Sequence, residues 1–175
     1  MKKLSLQELN RLSPDAFKIA PKIPLILAAD QIRSGHNVGS LFRIGDAFGI
    51  EQIILGGYTV QPPHPEIQKT AIGASETVAW SHYERLEDFL MNMKLQGYSI
   101  IGIEQTSDSI SLNNFEVEVD KAYILIFGNE VNGISESVLQ CVDYCIEIPQ
   151  RGTKHSINVS VAAGIVTWHF AKRFL

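Results

Sequence analysis

The chain has 175 residues and a formal net charge of −4, a length that fits one domain able to bury a single core. Hydrophobic residues make up 45% and charged residues 19%, the balance of an ordinary globular protein, and no apolar run approaches the ~20 residues a membrane helix needs. Contact with nucleic acid would therefore need a local basic patch, since bulk charge is acidic.

In chain order, residues 2–21 are polar, with Leu4, Leu6, Leu9 and Leu12 at roughly helical spacing, and predict a short helix ending before Pro14. The lysines at the N-terminus have no long apolar stretch behind them, which argues against a signal peptide and for the cytoplasm. Residues 24–30 form an apolar run expected to be the first buried strand, and residues 37–48 a helix with Val38, Leu41, Phe42 and Ile44 on its apolar side, stopped by Gly49. Strand two is expected at 53–55, before Gly56-Gly57. Prolines 62, 63 and 65 exclude a central strand and make 61–65 a loop. A helical turn at 66–71 and a third strand at 78–80 follow. A helix at 86–95 ends before Gly97, and a fourth strand spans 98–103. Residues 113–119 read as irregular, 123–127 as strand five, 135–141 as a helix, 144–148 as strand six, and 158–174 as an apolar closing helix. Strands alternating with helices predict one domain built on a parallel sheet with right-handed crossovers.

Both late strands end abruptly in loops rich in Gly, amides, hydroxyls and charge. Ligands of open α/β sheets bind at that carboxyl edge. Three constellations stand there. Arg33-Ser34-Gly35-His36-Asn37 opens the first long helix, a favourable place for an anion, but lacks the spacing of a dinucleotide motif or a P-loop. Asn37 there is by default a helix cap. Arg43 follows six residues later, on a side otherwise apolar and read as near the Asn37 face. Gly128-Asn129-Glu130 follows strand five, where a glycine permits close backbone approach to a ligand; the plainer reading is a tight turn closed by Asn132-Gly133. Finally, residues 149–158 gather Arg151, Lys154 and His155, fit to meet phosphate, before Ser156 and Asn158, either of which could cap the closing helix. Cys141 and Cys145 have the spacing of half a metal site with no second pair nearby, and one or both are read as small buried residues.

Together the three segments resemble the three motifs of the SpoU/TrmH-type RNA 2′-O-ribose methyltransferases of the SPOUT superfamily. The first is Asn37, Arg43 and Phe48-Gly49. The second is Phe127-Gly128-Asn129-Glu130 with Gly133-Ile134. The third is Ile148-Pro149, Gly152 and Ser156-Ile157-Asn158-Val159-Ser160-Val161-Ala162. Residues 69–74 also look like a stretch common in that family, and the likeness runs from residue 24 to 172.

The resemblance implies an open parallel sheet flanked by helices, with a deep trefoil knot at roughly 123–175, after a short extension of residues 1–23. It implies S-adenosylmethionine as cofactor, no metal, and a homodimer. The cofactor would lie against Phe127, Gly128, Asn129, Ile148, Pro149, Gly152, Ser156, Ile157 and Asn158, with Glu104, Gln105 and Thr106 near its rim. Arg43 would act on the 2′-hydroxyl. A guanidinium is a poor base, so stabilising phosphate and developing alkoxide suits it better. Ser156 and Asn158 would orient it and the cofactor, Glu130 would tether one of these groups, and Asn37 would hold the ribose. Arg33, His36, Arg151, Lys154 and His155 would meet RNA. With only about twenty residues before the first strand, substrate choice is expected to come from those loops and the second subunit. Residues 102–106 resemble the tRNA guanosine branch, favouring tRNA over rRNA. Competing readings are a non-catalytic knotted RNA-binding protein, a flavodoxin-like module, and a response regulator, which wants clustered acids where Asp30 stands alone.

Overall fold

The computed structural model describes residues 1–5 and 7–175. The chain opens with a turn at residues 7–10, and the first helix, α1 (Pro14–Ile19), starts where a helix was expected to stop. Proline suits the first helical position because its missing N–H has no partner there anyway. The Ser13 hydroxyl caps the helix by accepting from the Ala16 N–H at 3.2 Å. Leu6, part of the expected pattern, lies outside the described residues.

β1 (Ile23–Asp30) leads into α2 (Gly35–Phe48), β2 (Ile50–Gly56), α3 (Pro65–Ala71) and α4 (Ala74–Thr77). Next come β3 (Trp80–Tyr83), α5 (Leu86–Leu95), β4 (Tyr98–Ile103) and β5 (Ile110–Ser111). β6 (Ala122–Phe127), α6 (Glu136–Leu139), β7 (Tyr144–Glu147) and α7 (Val159–Ala171) complete the chain. The strands form one seven-stranded sheet in the order β3-β2-β1-β6-β4-β7-β5, and every pairing is parallel.

Two strand expectations need correction. The third strand is Trp80–Tyr83, not 78–80: buried Val78 instead closes α4. β5 is a seventh strand, two residues long, in a stretch without a strand pattern. Both lie at the sheet's edges, where strands are not covered on both faces and lose the continuous apolar run that marks a central one.

Alternation along the central strands divides the core. Leu25, Leu27 and Ala29 of β1 face Val38, Leu41, Phe42, Ala163, Val166 and Phe170 from α2 and α7. Ile26 and Ala28 face the opposite layer, with Leu86, Phe89, Leu90 and Val138 from α5 and α6. Parallel sheets covered on both faces are built this way. Register aligns the strand ends: Ala29 pairs with Leu55 and Phe127, and Ile103 with Phe127 and Ile146. The loops after β1, β2, β4, β6 and β7 therefore emerge side by side along one edge.

Candidate active site at the carboxyl edge of the sheet

The loop after β6 is folded tightly on itself. Asn129 and Gly133 exchange backbone hydrogen bonds of 2.9 Å each. The Asn129 side-chain oxygen accepts from the Val131 and Asn132 N–H groups, and its amide donates to the Gln31 carbonyl at 2.8 Å. Gly128 sits flush under this turn, and a Cβ there would run into the Gly133 and Ile134 backbone. The close approach anticipated for a ligand is thus made by the chain itself. Phe127, 1% exposed, belongs to the core. Asn129, 7% exposed, is a buried turn-former tying β6 to the end of β1.

Glu104 holds the same turn from below. Its carboxylate accepts from the Ile134 N–H at 3.1 Å and from the Gln105 N–H at 2.9 Å. A Cβ on Gly133 would collide with this carboxylate, and the φ of +68° there already favours glycine. Gln105 reaches the other way and donates to the His155 carbonyl at 2.9 Å. Residues expected at a cofactor rim thus brace both loops that would surround it.

Asn37, Glu130 and Asn158 come together from three distant segments. The Asn37 amide donates to the Glu130 carboxylate at 2.8 Å across 93 residues of sequence. Asn158 donates to the Asn37 side-chain oxygen at 3.4 Å across 121 residues. Asn158 also caps α7, accepting from the Ser160 N–H at 2.9 Å and the Ser160 hydroxyl at 2.6 Å. The plain cap and the network are the same residue. Asn37 is not a cap: Ser34 caps α2, accepting from the Asn37 N–H at 3.3 Å, and the helix begins at Gly35.

Arg43 stands apart from this trio. Asn37 is buried, whereas Arg43 is exposed on α2, and no carboxylate among the described residues pairs with it. Six residues at about 100° each leave two helix positions roughly a third of a turn apart, so the two do not share a face. The Arg43 neighbours Val38, Leu41 and Phe42 point inward, and the guanidinium points out.

Beside the network lies a cleft of about 90 Å³ lined by Ile103, Glu104, Gln105, Ile146, Glu147, Ile148, Gln150, Ser156, Ile157 and Ala162. Five of the expected cofactor contacts, Glu104, Gln105, Ile148, Ser156 and Ile157, meet here. Thr106, Pro149 and Gly152 are not among the lining residues, and neither are Phe127, Gly128, Asn129 and Asn158. Arg151, Lys154 and His155 are all exposed on the loop above it. His36 is partly occupied, 3.0 Å from the Thr70 hydroxyl and 3.8 Å from Glu66. Arg33 lies over the Tyr58 ring, 5.0 Å from its centroid.

Some supporting groups carry no motif of their own. Asp30, 2% exposed, accepts from the Ser135 N–H at 2.7 Å, and burial pushes its carboxyl above the ordinary value. Burial also pushes up the thiols of Cys141 and Cys145, which suits inert packing residues. Among the described residues no three metal-ligating side chains cluster, and no helix is long and apolar enough to cross a membrane.

Comparison with known proteins covers the stretch in which these residues lie. The sequence profile of the SpoU rRNA Methylase family matches residues 24–168. The tRNA (guanosine(18)-2′-O)-methyltransferase of Aquifex aeolicus is 31% identical over 82% of this chain and 67% of its own length. The 23S rRNA (guanosine-2′-O-)-methyltransferase RlmB of Neisseria meningitidis is 32% identical over 87% of this chain. The crystal structure of an AdoMet-bound rRNA methyltransferase from Sinorhizobium meliloti superposes with a TM-score of 0.79 at 26% identity, covering 94% of this chain. Several relatives are longer: this chain spans 60% of the Neisseria enzyme and 62% of the Sinorhizobium chain. With motif residues drawn from three segments onto one sheet edge and a matching profile over most of its length, the chain belongs to the SpoU rRNA methylase family.

Proposed function

We propose that this chain is an S-adenosylmethionine-dependent RNA 2′-O-ribose methyltransferase. The observation that carries this is the hydrogen-bonded chain Asn158–Asn37–Glu130. It joins three family motifs at the point where the cofactor cleft meets the mouth of β1. The cleft suits the cofactor chemically. Ile103, Ile146, Ile148 and Ile157 offer apolar walls, and Gln105, Gln150 and Ser156 offer polar groups at the rim. S-adenosylmethionine supplies an electrophilic methyl when bound, so the protein's work is alignment, charge stabilisation and exclusion of water. Gln105 and Glu104 fix the two loops that close on the cleft. Asn37 and Asn158 hold polar groups toward the acceptor side. Arg43 supplies a guanidinium, with no carboxylate partner, for phosphate and the developing 2′-oxyanion.

We favour tRNA over rRNA as substrate on the likeness of residues 102–106 to the tRNA guanosine branch; relatives that act on either RNA match this chain. We also place a trefoil knot in the segment from β6 to α7. Support comes from the path: β7 lies on the far side of β4 from β6, yet the chain returns so that α7 packs against α2 and β6. An experimental chain trace without a knot would remove that part. The function is tested by calorimetry with S-adenosylmethionine and by mapping 2′-O-methyl sites in RNA from a deletion strain. One cofactor per chain and loss of methylation at a tRNA ribose are expected. Loss confined to rRNA would move the substrate, and no cofactor binding at millimolar concentration would overturn the reading.

A further inference from the structure

The sheet edge has two sides. The cleft lies at the ends of β4 and β7, and the Asn37–Glu130–Asn158 chain stands at β1 and β6. The ends of β1 and β2 remain, and they carry Arg33 and Tyr58. Tyr58 is 48% exposed, although it follows a fully buried strand end by two residues. The Arg33 guanidinium lies 5.0 Å from its ring centroid. Exposed Arg–Tyr pairs are common on surfaces, but the mounting of this one is not loose. Thr59, 2% exposed, accepts from the Ile32 N–H at 3.0 Å and donates to the Gly56 carbonyl at 2.7 Å. The Gln31 N–H donates to Gly56 and the Val60 N–H to Ile32, at 3.2 Å each. His82 from β3 donates to the Gly57 carbonyl at 2.7 Å. Two loops that could move independently are cross-linked on either side of Tyr58 and just before Arg33, so the backbone that carries both exposed side chains is held in place.

We propose that Arg33 and Tyr58 form a stacking platform for an unpaired nucleobase of the RNA that is methylated. This rests on the methyltransferase reading above. With the cofactor on the β4–β7 side, the acceptor ribose must approach from β1 and β2, and a base attached to or next to it comes over Tyr58. A phenol ring backed by a guanidinium presents a flat, cation-polarised surface, which binds the π-face of a base and leaves its hydrogen-bonding edge free. Arg33 is then a base contact through Tyr58 and not simply a phosphate contact. A rigid mount matters because a stacking surface already in place needs little ordering when RNA arrives.

The test compares wild type, Tyr58→Phe and Tyr58→Leu in single-turnover methyl transfer to total RNA from a deletion strain. Cofactor affinity and thermal midpoint are measured on the same samples. A lost base–aromatic stack should raise the RNA concentration at half-saturation roughly 5- to 150-fold in Tyr58→Leu. Its plateau rate, cofactor affinity and thermal midpoint should stay near wild type, and Tyr58→Phe should behave as wild type. Unchanged half-saturation in Tyr58→Leu would overturn the platform. So would Tyr58→Phe as damaged as Tyr58→Leu, since that would make the hydroxyl the contact. A wild-type protein that binds no cofactor and methylates no RNA would instead overturn the underlying function, an outcome visible before any variant is examined.

Discussion

Both ends of the Asn37 side-chain amide are engaged, its nitrogen on Glu130 and its oxygen on Asn158. Glu130 itself is exposed and has one partner in the network. Its carboxylate can serve in two ways, as an acceptor that holds Asn37 or as a charge near the reacting ribose. Substitution separates them. Glu130→Gln keeps an oxygen that can accept from Asn37 and removes the charge, whereas Glu130→Ala removes both and leaves a mostly buried amide donor unpaired. An unsatisfied buried donor costs about 1–3 kcal/mol. If Glu130 is a positioning residue, the glutamine variant should keep single-turnover rates within a few-fold of wild type. The alanine variant should then lose about tenfold or more, by analogy with the loss of ligand-orienting partners in other sites. Equal loss in both variants would assign the charge itself to the chemistry. Ser156 has a simpler position: it lines the cleft and, among the described residues, makes no hydrogen bond to the trio, so we expect its contribution on the cofactor side.

Among the elements, the turn at 128–134 is held from three directions: by Gln31 through Asn129, by Glu104 beneath Gly133, and by Asp30 at Ser135. Asp30 is the costly member. Desolvation raises its pKa above the ordinary 3.8, the Ser135 N–H works against that, and nearby Glu87 adds to it. A raised folded-state pKa means the native state holds the proton more tightly than the unfolded one. That stabilising contribution is complete below the unfolded value and is lost as pH rises through the folded value. Asp30→Asn keeps an acceptor for Ser135 without the buried charge. Its stability relative to wild type should therefore rise from about pH 4 to about pH 7, as read from urea unfolding at both. A relative stability that fell over that range would show that the ionised bond to Ser135 outweighs desolvation. This bracing was invisible in the sequence because each partner lies tens of residues from the other. By contrast, β1 and β6 are legible because both faces are buried and their apolar runs are long, and β4 because its isoleucines follow the helix stop at Gly97. Edge strands β3 and β5 lack such runs. The expected N-terminal helix failed because Leu spacing alone outweighed the start signal of Ser13-Pro14. Motif spacing picked out residues that the fold brings to one sheet edge, but it carried no sign that Gly128 and Asn129 also build the turn, because their partners Gln31, Gly133 and Ile134 are set by tertiary packing.

At the scale of the whole molecule, one arrangement within a single chain is incomplete. Arg43 faces outward from the middle of α2, while buried Asn37, which joins Glu130 and Asn158, lies in the helix's first turn on a different face. α7 packs along α2 and leaves Val161, Ile165 and Trp168 exposed at 51%, 40% and 51%. Trp168 leans on Phe48 of α2 with ring centroids 5.8 Å apart. An apolar stripe at i, i+4 and i+7 on one helix is the kind of surface a second helix covers. We therefore expect a homodimer through α2 and α7, with Arg43 of one protomer serving the trio of its partner. Sedimentation should find a dimer at micromolar concentration, and Trp168→Glu should shift it toward monomer. The stronger test mixes two inactive proteins. Arg43→Ala alone should lose about 10²–10³ in single-turnover rate with cofactor affinity kept, and Arg43→Lys should not rescue it, because an ammonium lacks the planar fork. Asn158→Ala should lose activity by a different route. If Arg43 acts across the interface, unfolding and refolding the two variants together creates dimers in which one site has both residues. Random pairing then restores roughly a quarter of wild-type activity, since half the dimers are mixed and half of their sites are whole. If Arg43 serves its own chain, every site in the mixture lacks one residue and activity stays at the level of the separate variants. Failure to recover activity in a mixture shown to contain mixed dimers would return Arg43 to its own subunit.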